Sequence, residues 1–141
     1  MTKIYLVDTC IWRDFYENRF SKSKRHLGKY AADFFLKVMT KKDRIIFSES
    51  LIFELKKYCE EKEVINMLNL LFLNNTLFRI EVTKDENMEA KNLSQKRRVP
   101  FMDCLNAVQA RNHKAILITQ DHHILKNLSD ITISRRPESI N

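Results

Sequence analysis

Four acidic residues stand where the chain changes character: Asp8 after "KIYLV", Glu54 within "SLIFELKK", Asp103 within "PFMDCLNAVQA" and Asp121 within "LITQDHHIL". Singly, each aspartate has an ordinary reading, since an acid at a helix start caps free backbone N–H groups and suits the positive end of the dipole. Glu54 fits that reading less well, because it lies about a turn and a half into its helix, between Phe53 and Leu55. As a set they ask for more. Carboxylates that converge without a counter-charge repel and raise one another's pKa, so a fold that gathers them usually neutralises them with a cation. Oxygen-only ligation selects a hard ion, Mg²⁺ or Mn²⁺. Such sites carry metal-assisted attack on phosphodiesters, in which the ion eases ionisation of a water and steadies the pentacovalent phosphate.

The acids can meet only if the elements that carry them share a rim. Residues 3–8, "KIYLVD", form a short run of strand formers, and "TCIWRDFYENR" follows with Ile11, Trp12, Phe15 and Tyr16 at helical spacing. After the polar "SKSKRHLGK", "YAADFFLKVMTKK" predicts a second helix with a wide apolar face. "RIIFS" (44–48) predicts the second strand, "ESLIFELKKYCEEK" a helix beginning near Ser48 or Ser50, and "EVINMLNLLFLNN" another helix. "LFRIEV" (77–82) is the third strand candidate, "KDENMEAKNLSQKRR" a polar surface helix, and "PFMDCLNAVQARNH" a helix opened by Pro100. "AILIT" (115–119) and "DITIS" (130–134) complete a set of five strands. Continuous apolar strands alternating with helices imply an α/β fold of three layers, with a central parallel sheet buried on both faces. Ligands of open parallel sheets bind beyond the carboxyl ends of the strands, and all four acids fall at that rim.

With 141 residues, 44% of them hydrophobic, and no distinct linker or repeat, the chain is expected to form one domain over 1–141. Its single glycine, Gly28, excludes the phosphate-cradling loops and dinucleotide-binding turns that need several. A net charge of +7 favours a polyanionic partner, of which nucleic acid is the commonest. The basic residues come in short runs, among them Lys22, Lys24 and Arg25, and Lys96, Arg97 and Arg98. Any one run is ordinarily a solvated face, and only their sum points to phosphate. Cys10, Cys59 and Cys104 lack the paired spacing of a zinc site or a disulfide framework, which suits reduced thiols in a cytoplasmic protein. No stretch reads as a signal peptide or a membrane span, so a soluble protein with no membrane partner is expected.

"YLVDTCIW", "FSESLIFELKK", "PFMDCLNAVQA" and "LITQDHHI" resemble, in order and at similar spacing, the four motif segments of the PIN-domain ribonucleases. The small size resembles the VapC-type toxins of toxin-antitoxin modules and their single-domain relatives. The resemblance implies Mg²⁺- or Mn²⁺-binding acids at Asp8, Glu54, Asp103 and Asp121, with Thr119 as the hydroxyl residue beside the last. It also implies RNA as substrate, frequent homodimers, and an antitoxin whose tail covers the cleft. The chain departs from the commonest pattern at Cys10, where a small serine or alanine is frequent, and at His123, a position often acidic.

Asn106 follows Asp103 by three residues and so faces the same way, where it could orient a water or a phosphate; an ordinary polar helix residue is the plainer reading. His122 and His123 read as exposed loop residues. Cys10 and Cys104 invite zinc, but small thiols packed beneath the acidic rim account for them. The aromatic residues Trp12, Phe15, Tyr16, Phe34 and Phe35 read as core or dimer surface. An RNA-binding domain of the same fold without catalysis is the alternative to a nuclease. A phosphatase of the haloacid dehalogenase type would need an acid where Cys10 stands, and a receiver domain would need an acid pair at the end of strand one.

Overall fold

The computed structural model describes all residues, 1–141. Five parallel strands, β1 (Ile4–Val7), β2 (Arg44–Phe47), β3 (Leu77–Arg79), β4 (Ile116–Ile118) and β5 (Ser134–Arg135), lie in the order β3-β2-β1-β4-β5. Seven α-helices surround them: α1 (Thr9–Glu17), α2 (Leu27–Thr40), α3 (Glu49–Leu55), α4 (Glu61–Leu73), α5 (Lys84–Arg97), α6 (Phe101–Asn112) and α7 (His122–Asn127). Successive strand residues point to opposite faces. Tyr5, Val7, Ile45, Phe47 and Ile118 therefore pack with α1 to α4, while Leu6, Ile46 and Leu117 pack with α5 to α7. The two separate cores are the physical content of the three-layer expectation.

Strand order also determines where the site lies. From β1 the chain builds outward through β2 to β3, then returns across the sheet so that β4 pairs with the other side of β1. A crevice opens where that winding reverses, at the carboxyl ends of β1 and β4. Asp8 and Thr119 are the residues that follow those ends.

Several boundaries differ from the sequence reading. The third and fifth strands are shorter than expected, both at sheet edges: β3 stops at Arg79, and Ile80 and Val82 turn into the second core. Before β5, Ile131 and Thr132 bond back to the carbonyl of Leu128, so "DIT" continues a turn in place of extending a strand. Helix α3 stops at Leu55, well short of the expected run, and Lys56–Cys59 form a turn before α4. His122 and His123 open α7 and do not lie in a loop. Trp12, Phe34 and Phe35 are core, whereas Phe15 and Tyr16 are exposed. No helix is long and apolar enough to cross a membrane.

Helix α2 begins three residues earlier than its apolar face suggests, and Gly28 is the reason it fits. A Cβ there would stand 2.5 Å from Asn18 Oδ1, 2.7 Å from Asn18 Cα and 2.9 Å from the Asp14 carbonyl. Asn18 is the left-handed cap that ends α1, so the glycine sets how closely α1, with Asp8 at its head, docks on α2. Gly28→Ala is expected to destabilise the chain by about 1–3 kcal/mol through this overpacking, read as a lower midpoint in urea unfolding.

Candidate active site

Asp8 sits at the switch point between β1 and β4. Its backbone N–H donates to the carbonyl of Ile118, 2.9 Å away, which extends the β1–β4 pairing by one residue, and its side chain accepts from Thr9 N at 2.8 Å to cap α1. The capping role raised from sequence is therefore real, yet it occupies only part of the carboxylate. Oδ2 accepts from Thr119 Oγ1 at 2.8 Å and from Cys10 Sγ at 3.3 Å, and Oδ1 also accepts from Asn106 Nδ2 at 3.4 Å. Every donor is neutral. Burial pushes the Asp8 carboxyl above its ordinary pKa, the Thr119, Cys10 and Thr9 bonds pull the other way, and Asp121 adds to the rise.

Thr119 is wholly buried. Its hydroxyl accepts from Asp121 N at 2.9 Å while donating to Asp8, so one side chain ties the turn after β4 to the acid after β1. Cut off from solvent, it acts by positioning Asp8 and Asp121. Cys10 is held as a thiol, its pKa pushed well above the ordinary value first by burial and then by Asp8. A thiol that donates to a carboxylate is a poor match to zinc ligation, and Cys104 is buried in the other core with its Sγ near the Val99 carbonyl.

Asp8, Glu54, Asp103 and Asp121 line one open cleft, with Thr9, Cys10, Arg13 and Tyr58. Asp103 comes from the first turn of α6, whose start Pro100 sets, and Asp121 is the N-cap of α7, accepting from His123 N at 2.8 Å. Glu54, near the end of α3, is turned toward Lys57 at 3.0 Å. As the side chains lie, no three of the chain's carboxylate, imidazole or thiol groups already enclose a point where a metal ion would sit. The bond to Lys57 engages Glu54 Oε1 and leaves Oε2 unbonded.

The electrostatics nevertheless fit a cation. Asp103 is pushed up to about 7, first by burial and then by Asp8, Asp121 and Glu54 in that order, with no basic group among the influences. A partly buried carboxylate facing three others has its charge uncompensated, and an oxygen-only donor set suits Mg²⁺ or Mn²⁺. Asn106, for which an ordinary helix position was the plainer expectation, reaches Asp8. Arg13 and Tyr58 were not singled out from the sequence. The i,i+4 relation of Arg13 to Thr9 on α1 was a usable signal for the first; the turn after α3 that exposes Tyr58 left none.

These residues carry the resemblance seen in the sequence. The family model for the PIN domain matches residues 5–130. The chain belongs to the PIN domain family. PIN domains generally use divalent metal ions, in keeping with the donor set found here. Among solved structures, a toxin-antitoxin complex from Klebsiella pneumoniae is 20% identical, covering 96% of this chain and 99% of that one at a TM-score of 0.58. VapBC2 from Rickettsia felis, bound to a DNA fragment from their promoter, is 15% identical, covering 94% and 98% at a TM-score of 0.65. Identities this low establish a shared fold. No curated protein matches the chain by sequence.

The Asp103 value fixes a pH dependence. The folded chain holds this proton up to about 7 and the unfolded chain releases it near the ordinary 3.8, so ionisation works against folding. Without metal, stability should fall as pH rises from the ordinary carboxylate range to about 7 and level off above. Asp103→Asn should flatten that fall and raise the melting temperature at about pH 8, measured in chelator by thermal unfolding. A slope unchanged by the substitution would refute the assignment.

Proposed function

We propose that this PIN domain is a Mg²⁺- or Mn²⁺-dependent endoribonuclease and the toxin of a toxin-antitoxin pair. The observation that carries the reading is the convergence of Asp8, Glu54, Asp103 and Asp121 on one cleft of a chain whose net charge is +7. An acidic hole in a basic surface suits a site that collects a cation and then a polyanion. The four carboxylates would hold the ion, which when bound supplies positive charge that eases ionisation of an attacking water and offsets charge growing on the phosphoryl oxygens. The chain's own part is preorganisation. Thr119 and Cys10 fix Asp8 Oδ2, Asn106 and the head of α1 fix Oδ1, and the β4–α7 turn brings Asp121 to the same crevice.

The toxin reading is supported by the two solved toxin-antitoxin complexes of the same fold. An antitoxin would need a surface, and α1, α2 and α4 leave an apolar groove lined by Trp12, Phe15, Phe35, Leu36, Met39 and Leu70, with Leu36 61% and Leu70 52% exposed. Such a groove fits the apolar face of a partner helix. A homodimer belongs to the same proposal.

Purified protein is expected to cut a mixed cellular RNA pool with Mn²⁺ or Mg²⁺ and not with chelator, and Asp8→Asn should abolish cutting while the chain stays folded. Full cleavage by that variant would sink the assignment, and no cleavage under either metal would favour an RNA-binding domain without catalysis. Thr119→Val should reduce cleavage about 10–100-fold, since groups that orient a metal ligand typically matter that much, and Thr119→Ser should restore most of it. Equal loss in both would mean that packing, not the hydroxyl, is what position 119 supplies.

A further inference from the structure

The acids are shared between two clefts. One contains Asp103 and Asp121 with Arg13 and Tyr58; the other contains the same two acids with Arg98, His123 and Asn127. The cleavage chemistry uses the acids and leaves the flanking groups without a role.

Each flank carries a cation that is paired with none of the four cleft acids. Arg13 is bonded to Glu17 at 2.8 Å, and its guanidinium lies over the Tyr58 ring, 3.7 Å from the centroid. Tyr58 is 51% exposed, so an aromatic–guanidinium pair is presented beside the acids, the kind of surface on which unpaired bases stack. On the other flank the run Lys96-Arg97-Arg98 divides in function. Arg97 is tied to Asp130 at 2.7 and 2.8 Å and to the Asn127 carbonyl at 3.0 Å, which fastens α5 to the end of α7. Arg98 forms no ion pair. It occupies the left-handed cap of α5, at φ 56°, where glycine or asparagine is the usual residue, so its backbone position gives no reason for an arginine. It lines the cleft with Asp103 and Asp121 all the same.

We propose that these two clefts, joined by Asp103 and Asp121, are two RNA subsites: a nucleobase stacks on the Tyr58–Arg13 pair, and a backbone phosphate is held by Arg98. The inference rests on the ribonuclease reading and gives it a substrate form. A base within a duplex is already stacked on its neighbours, so a half-exposed tyrosine in the cleft selects unpaired RNA. Arg98 reads charge alone and would act on any sequence.

The test is fluorescence anisotropy with a labelled oligouridylate on the Asp8→Asn chain, chosen because it is expected not to cut. Tyr58→Leu should weaken binding roughly ten-fold while Tyr58→Phe retains it. Arg98→Gln should flatten the dependence of log affinity on log salt by about 0.7, as expected for one lost phosphate contact to a single strand, whereas Lys96→Gln should not. A duplex of equal length should bind more weakly and be indifferent to Tyr58→Leu. Unaltered affinity and slope in the variants, no RNA binding at all, or a duplex affected equally by Tyr58→Leu would each overturn the subsites. Metal-dependent cleavage by the unaltered chain, measured separately, tells that failure apart from failure of the ribonuclease reading.

Discussion

The constraint on which the site depends is a buried carboxylate held by neutral donors alone. Asp8 lies in the crevice between β1 and β4, and it receives bonds from a backbone amide, a hydroxyl, a thiol and an amide side chain. A lysine or arginine in any of those places would offset the charge and remove the reason for a cation to enter. Neutral bonds do the opposite: they fix the orientation of the carboxylate and leave most of its charge unpaired. Contrast Asp14, also buried a few residues later on α1, which is bound by the Arg19 guanidinium at 2.8 Å and is thereby a structural ion pair.

The rest of the fold serves that arrangement. Parallel pairing on both sides of β1 brings the ends of β1 and β4 together, and residues that alternate between two cores lock the register that puts Asp8 beside Thr119. The α5–α6 pair carries Asp103 to the same crevice and is stapled by a polar network of its own. Glu86 closes a capping box with Thr83 and accepts from Gln109 and Asn112, which holds its carboxyl below the ordinary range despite burial. Arg13 and Arg98 border the acids, yet no basic group is among the influences on Asp103, so the hole keeps uncompensated negative charge within a chain of net charge +7.

Much of this was legible in the sequence because the signals were long or strongly typed. "KIYLVD" and "RIIFS" are apolar runs ended by a polar residue, too short for a buried helix and rich in strand formers, so a buried strand is the reading that fits them. Asp8 and Asp121 could be assigned to one rim from strand ends, and Glu54 and Asp103 from the helices that start there, and the four side chains line one cleft. What could not be read depended on tertiary geometry. Whether Asn106 reaches Asp8 depends on how α6 lies across the sheet; that α3 stops at Leu55, exposing Tyr58, depends on the turn that leads into α4. The edge strands were overestimated because an apolar alternating stretch such as "DITIS" can equally fill a core from a turn. Glu54 is a further case: its place on the rim was predictable, its engagement with Lys57 was not.

The central claim is that these acids gather to hold a divalent cation, and direct Mn²⁺ binding, followed by electron paramagnetic resonance at about pH 8, where Asp103 is ionised, tests it without reference to any substrate. The account predicts saturable binding by the unaltered chain that is lost in Asp8→Asn and weakened in Asp103→Asn. No saturable binding, or binding indifferent to both substitutions, would contradict it.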